Sequence, residues 1–522
     1  MKSSSESGAI ARRFHEGTKH SPESVWESGH RLDWRNKPYP FKVYEDGDAV
    51  DLPRPFPELE GAALGALETV VRHPKSRGPD LTGLARILGF GAGVLRRVTY
   101  GDESFHFRTY ASAGALYPIE IYVVSEAING LEAGVYHFDP LGFRLIRLRA
   151  GHHRGVLADA LADETGSSPP VSFILTGIPW RTAWKYTERG YRHLFWDAGM
   201  ILANIFALAS SAGWPTRVVL GFADRDLSGL LGIDGKREFP LCVVSLGPES
   251  VAPVGNAVAP ITLDTRPLSR REVELEVIEG VNEAGVLRSR DEVRAWRARL
   301  ADAVRARPSE TRPASGQTEP ASVGRARPED SLEKVIRRRG SARFFRRGSM
   351  PLEALRRTLH AAMRPILSDY APAGAVLVEP YLIANAVEGL APGAYVYRDG
   401  DFVLLREGNF RREAGHLCLE QRLGADAAAT IFLMADLDLV LAAAGDRGYR
   451  VAQLEGGIVG GRIYLGAYAH RFGATGLTFY DDLVTEFFSP DAAGKSCMLV
   501  VAVGESPRLS RSRGQPPGRG TT

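Results

Sequence analysis

Arg189-Gly190-Tyr191-Arg192 returns 258 residues later as Arg447-Gly448-Tyr449-Arg450. Gly130-Leu131-Glu132-Ala133-Gly134-Val135-Tyr136 returns at an offset of 259 as Gly389-Leu390-Ala391-Pro392-Gly393-Ala394-Tyr395. Both copies close on an apolar strand that runs into glycine, Leu241-Cys242-Val243-Val244-Ser245-Leu246-Gly247 and Leu499-Val500-Val501-Ala502-Val503-Gly504. A near-constant offset over three separated motifs means two copies of one domain, because solenoid repeats have periods of about 20–50 residues.

Outward from these motifs, the chain divides into an N-terminal arm (1–60), a first domain (61–250) and a connecting helix with a linker (251–328). A second domain (329–505) and a basic tail (506–522) follow. The charged stretch Arg270 to Arg305 reads as helical, and 308–328 is a Ser/Pro/Gly/Thr/Arg run with almost no large apolar residues, hence a flexible linker. Within each copy helices and strands alternate. Ile119 to Val124 is a strand, Gly134 to Leu148 a hairpin around Asp139-Pro140-Leu141-Gly142, and Tyr191 to Ala212 a long apolar helix. Leu332 to Met363 reads as two helices broken near Phe344, and Phe239 to Leu246 as the closing strand. Hairpins with a central apolar helix indicate an α+β fold rather than a doubly wound sheet. Gly89-Phe90-Gly91-Ala92-Gly93 follows a helical pattern rather than a strand, so it is not read as a dinucleotide loop.

Composition narrows the function. A formal charge of +3 on 522 residues is too small to imply nucleic acid or a membrane surface. The three cysteines, Cys242, Cys418 and Cys497, form no close pairs, which argues against a zinc cluster or a disulfide framework and for a reducing cytoplasm. No 18-residue apolar run for a bilayer span is read here. No metal ligand set is read either, so redox chemistry calls for an organic cofactor.

Three constellations can carry chemistry. Arg338-Arg339-Gly340-Ser341-Ala342-Arg343 places two guanidiniums about a Gly-Ser turn, which suits a phosphate; a solvated basic turn is the alternative. Its first-copy equivalent, Arg72-His73-Pro74-Lys75-Ser76-Arg77, inserts a proline and loses a donor. Ser112-Ala113-Gly114-Ala115-Leu116-Tyr117 is a small-residue loop that lets a planar ligand approach the backbone, or simply a tight entry to a strand. Its second-copy counterpart, Ala371 to Glu379, lacks the serine and tyrosine. Lys185-Tyr186, ahead of the apolar helix, is a general acid/base pair if burial lowers the lysine's pKa, and surface decoration otherwise.

At these residues the chain resembles the nitroreductase superfamily, and within it the SagB/ThcOx-type dehydrogenases. The motifs are Phe14 to Ser21, Ser112 to Pro118, Gly134-Val135-Tyr136, Lys185-Tyr186 through Asp197-Ala198-Gly199, Arg339 to Arg343 and Gly476 to Asp482. The resemblance implies non-covalent FMN and, for SagB-type members, oxidation of peptide thiazolines and oxazolines to azoles. It places Lys185 and Tyr186 at the catalytic Lys-Tyr pair. Such proteins are usually homodimers with FMN sites across the interface, so the tandem implies a monomer with an internal pseudo-dimer. It also implies one composite flavin site. The second copy would supply Arg339, Gly340, Ser341, Arg343 and the N5-facing Thr478-Phe479, and the first copy Ser112, Ala113, Gly114, Ala115 and Tyr117. A small-molecule or peptide substrate follows. The alternatives are an NAD(P)H-dependent nitro or quinone reductase, and a flavin-poor scaffold or peptide-binding partner of a modification complex.

Overall fold

The structure, a computed structural model, describes residues 7–507 apart from 55, 57–60, 74–77, 101–102, 166, 253–257, 307–328 and 372–373. The linker, the tail from 508 and the Pro74–Arg77 part of the first basic turn lie outside the described residues.

Two antiparallel sheets carry the same strand order. The first runs 49–51, 144–150, 134–139, 119–125, 171–177, 239–246, 216–219. The second runs 401–407, 393–398, 378–384, 429–435, 496–504, 473–477. The seventh strand of the first sheet, Ala49–Asp51, comes from the arm and pairs with Arg144–Ile146. Against each sheet lies one 22-residue helix, Gly190–Ser211 or Gly448–Ala469. The Gly89–Ala92 segment belongs to the helix Leu81–Ala92, as its pattern implies.

The two central helices are buried on nearly every face, which is why neither shows a polar stripe. Each packs on its own sheet and on the other helix. Glycine makes the crossing possible: an added Cβ at Gly199 would lie 2.4 Å from the backbone of Gly457, and one at Gly457 would lie 2.7 Å from the Trp196 carbonyl. The helical stretch Pro179–Ser211 is apolar and long enough to pass for a membrane span, contrary to the sequence reading. Its apolar window is 83% buried inside the protein, so its hydropathy reflects a core between two domains.

The repeated Arg-Gly-Tyr-Arg motif opens each central helix and reaches into the opposite half. Arg189 and Arg192 donate to the two carboxylate oxygens of Asp481 at 2.8 and 2.7 Å. Reciprocally, Arg447 and Arg450 donate to Asp224 at 2.8 and 3.2 Å. All six side chains are buried. Tyr191 and Tyr449 lie parallel and offset between the two clusters, with ring centroids 6.5 Å apart.

Each arginine pair also grips an incoming arm. Arg192 donates to the His15 carbonyl and the Thr18 hydroxyl, both at 2.8 Å, at the end of the helix Ala9–Gly17. Arg450 donates to the Asn282 carbonyl at 2.7 Å, in the helix Glu276–Ala284. The stretch read as one charged helical segment is therefore two helices, Glu276–Ala284 and Arg290–Ala306. The first buries Ile278 and Val281 and serves the second half as Ala9–Gly17 serves the first.

Asp481 should dominate the acid sensitivity of the fold. Burial by itself raises its pKa, but Arg189, Arg192 and the His20 N–H outweigh burial and hold it well below the usual carboxylate range. Its contribution is present above the unfolded pKa of about 3.9 and lost as the pH falls below that. Asp481→Ala leaves two buried guanidiniums unpaired and should cost about 3–5 kcal/mol. Urea unfolding at pH 7 and pH 3 measures both, and the variant should lose less stability than the native chain between the two.

Candidate active site

The short helix Pro179–Tyr186 starts on a proline at its first turn and ends where Thr187 takes a φ of 49°. Its last two residues are Lys185 and Tyr186. Tyr186 stacks on His193 of the central helix, with ring centroids 4.2 Å apart and planes 11° from parallel. The small-residue loop meets it from above: an added Cβ at Gly114, whose φ is +62°, would lie 3.1 Å from the Tyr186 hydroxyl. One buried carboxylate holds that loop, since Ala113 N–H donates to Asp197 at 3.3 Å. Inside the turn, Tyr117 N–H donates to the Ser112 hydroxyl at 3.0 Å, and Arg108 N–H donates to the Tyr117 hydroxyl at 3.1 Å. Ser112, Ala113, Gly114, Ala115 and Tyr117 thus form one unit that faces Tyr186.

The second half arrives on the same place. Arg343 is exposed and makes no hydrogen bond among the described residues, yet its charge acts on both Lys185 and Tyr186. Ser341 lies 3.3 Å from the Tyr464 hydroxyl, and Gly340 passes close to the Tyr468 hydroxyl. Arg339 behaves differently from Arg343. It is buried and donates to the carbonyls of Thr109, Arg108 and its neighbour Gly340 at 3.2, 3.1 and 3.3 Å. It ties the second half to the strand that leads into the small-residue loop. Thr478 accepts from Gln421 Nε2 at 3.0 Å, and Phe479 is buried against Trp196. Trp196 in turn lies 4.5 Å from His193 and donates to Gln453 of the other half at 2.7 Å. Rings Tyr186, His193, Trp196 and Phe479 therefore link the Lys-Tyr pair of one copy to the loop of the other.

Electrostatics differentiate the groups. Burial, then the cations Arg343 and Lys37, lower the Lys185 pKa. Burial, then Asp197, raise that of Tyr186 against the opposing Arg343. Burial, then Arg189 and Arg192, push His193 well below its usual value, so its ring is neutral. Burial raises Asp197 to about 7, with Ser112, the Ala113 N–H and Arg108 opposing. Asp197 Oδ2, the Tyr110 hydroxyl and both His193 ring nitrogens are buried without a partner among the described residues. Tyr110, Ala111, Met200, Asn204, Arg339, Gly461 and Tyr464 meet at the junction with no room for a water between them.

This donor set fits a flavin mononucleotide. A cation (Arg343) and a hydroxyl (Ser341) are exposed beside a small-residue loop, and the N–H groups of Thr478 and Phe479 donate no hydrogen bond among the described residues. The sequence names Asp197 only within the resemblance motif, with no role, and does not single out His193. A lone carboxylate within a helix apolar on all faces is the signal that points to Asp197, and the same place in the second copy holds Glu455.

Two antiparallel α+β halves that pack through a central helix pair define the class of protein. The Nitroreductase family model matches residues 76–248. "Putative nitroreductase MJ1384" of Methanocaldococcus jannaschii is 32% identical over 144 residues, 27% of this chain and 70% of that protein. The chain belongs to the nitroreductase family. "Microcin B17-processing protein McbC" of Escherichia coli is 29% identical over 147 residues, 27% of this chain and about half, 54%, of McbC. The crystal structure of a "putative nitroreductase" from Anabaena variabilis aligns with a TM-score of 0.71 and 25% identity. That alignment covers 95% of this chain and 99% of that one, so the likeness spans both halves.

Asp197 is a stability cost that pH controls. Because its folded pKa lies above the unfolded value of about 3.9, the folded state loses stability as the pH rises from about 4 to about 7. Asp197→Asn keeps an oxygen for the Ala113 N–H and removes the charge, so the variant should match the native chain near pH 4 and be the more stable at pH 8. Parallel urea midpoints across that range would contradict the assignment.

Proposed function

We propose that the chain is an FMN-dependent oxidoreductase of SagB/ThcOx type that oxidises azolines in a modified peptide to azoles. The observation that carries this reading is the convergence of Lys185 and Tyr186 from one copy on Arg343 from the other. The likeness to a protein named for microcin B17 processing supports a peptide substrate. Ser341, Arg343 and the Thr478-Phe479 N–H groups would hold FMN, with the Ser112–Ala115 loop over it. Arg339 would act at its edge through the carbonyls it already binds. When bound, FMN supplies a two-electron acceptor.

The protein's own groups divide the proton work. Lys185, its proton affinity lowered by burial and then by Arg343 and Lys37, is the base that takes the proton from the azoline carbon. Tyr186 keeps its proton and donates a hydrogen bond to the substrate. The flat contact with neutral His193 fixes the Tyr186 ring without a competing charge.

The purified chain should be yellow, with flavin absorbance. Lys185→Ala should keep the flavin and lose at least about a hundredfold in turnover of an azoline peptide, within the range of general-base contributions. Colourless protein after reconstitution with FMN would favour the scaffold alternative. Rapid bleaching by NADPH, with no azoline turnover, would favour a nitro or quinone reductase.

Arg343→Ala should do two separable things. It should weaken FMN by about 1.5–3 kcal/mol, the range for a charge-assisted hydrogen bond. At saturating FMN it should also move the ascending limb of the pH–rate profile to higher pH, because a cation that lowers the Lys185 pKa is gone. An unmoved limb would detach Lys185 from the base role.

A further inference from the structure

The repeat implies a second site, related to the first by exchange of the two halves, and several of the elements that would frame it lie among the described residues, although Pro74–Arg77 of the basic turn does not. The helix Leu437–Ala444 stands where Pro179–Tyr186 stands, and Ala444 occupies the place of Tyr186. Glu455 replaces Asp197 and accepts from the N–H groups of Leu377 and Val378. Gly221, just after its strand and three residues before Asp224, stands where Thr478, just after its strand and three residues before Asp481, stands. Phe222 lies under Arg447, as Phe479 lies under Arg189.

What fills this second site differs. Asp369 is buried and accepts from Leu220 N–H and Gly221 N–H, one on each carboxylate oxygen, both at 2.8 Å. Arg297 donates to Asp369 at 3.0 Å and to the carbonyls of Gly221 and Leu161, both at 2.7 Å. Trp296 is 0% exposed and donates its indole N–H to the Ala444 carbonyl at 2.9 Å. Its ring would lie 3.0 Å from a Cβ added at Gly221.

The two arms explain the difference. Ser21 caps the six-residue helix Pro22–Glu27, after which the first arm turns away: His30 lies 3.1 Å from the Trp184 carbonyl, and Trp184 donates to the Asp33 carbonyl at 2.9 Å. Lys185 is left exposed. Ser289 caps the corresponding helix, Arg290–Ala306, which runs on for 17 residues and drives Trp296 and Arg297 into the site.

We propose that the helix Arg290–Ala306 is a built-in occupant of the second interdomain site. Asp369, clamped by Arg297, takes the N–H of Gly221, the counterpart of Thr478, together with that of Leu220, and Trp296 fills the space beside Ala444. The chain then carries one flavin, a consequence that rests on the flavin reading above, whereas the occupancy of the second site does not.

Hydrogen exchange by mass spectrometry on the full chain tests the occupant directly. The peptide across 216–224 should be protected with and without added FMN, whereas 474–482 should gain protection only when FMN is added. Asp369→Ala should raise exchange at Leu220 and Gly221 at least tenfold and leave 474–482 unchanged. Arg297→Met, which keeps the stem packed, should give the same change to a smaller degree. Fast exchange across 216–224 in the native chain, protection there on adding FMN, or two FMN per chain by absorbance would each overturn the proposal. No bound FMN at all would sink the flavin reading, while the exchange of 216–224 would still decide whether the second site is closed.

Discussion

Two buried carboxylates, each held by a pair of arginines from the opposite half, are the constraint on which the rest of the structure depends. Asp481 and Asp224 are the only ties of this kind in which one carboxylate bridges two buried guanidiniums across the boundary, among the described residues. A buried ion pair gains little over a well-packed apolar contact, but breaking one leaves an unpaired charge in the core. Such a pair therefore fixes geometry more than it adds stability. Here it sets the register of one half against the other, since the same arginines also bind the carbonyls of the incoming arms. The close glycine crossing of the central helices is tolerable because that register is held.

Once the halves are locked, the loops that follow Thr216–Val219 and Gly473–Leu477 each face a helix of the other copy. A homodimer must use both such places alike, because symmetry copies every substitution. A fused chain is free to differ, and the differences lie where the ligand would be. The arginine pairs, the bridging aspartates and the parallel tyrosines are shared; Tyr186 against Ala444, Asp197 against Glu455 and a six- against a 17-residue helix are not.

The sequence reading went far where a local pattern had a physical cause. The repeat offsets, the closing strand Phe239–Leu246, the apolar central helix and the α+β class follow from periodicity, and the structure has each of them. Arg-Gly-Tyr-Arg was legible as a repeat but not as a clasp, because its partners Asp481 and Asp224 lie hundreds of residues away and no local pattern pairs them with it. Arg339 and Arg343 look interchangeable in sequence. Burial separates them, for one ties strands and the other stays exposed at the site. The stretch Arg270 to Arg305 reads as charged and helical, yet its second helix, Arg290–Ala306, buries Val293, Trp296 and Leu300. Only the comparison with the first arm, spread over the same fold, shows what its length does.

The Lys-Tyr pair illustrates why a composite site is more than the sum of two loops. Placed on the first half alone, Lys185 would be a partly exposed amine, protonated at neutral pH like any surface lysine. The second half brings Arg343, and the first arm brings Lys37, and both cations act in the direction that frees the amine. Neither touches the lysine through a hydrogen bond in this structure, so the effect is one of field and survives small changes in side-chain position. Tyr186 responds oppositely to its surroundings: burial and the nearby carboxyl of Asp197 keep its proton on, outweighing the same Arg343. Burial is the first cause that lowers the Lys185 pKa, and the cation supplied across the boundary adds to it, while the first half's own packing keeps the tyrosine protonated. Assembly of the two copies therefore pushes the two members of the pair in opposite directions.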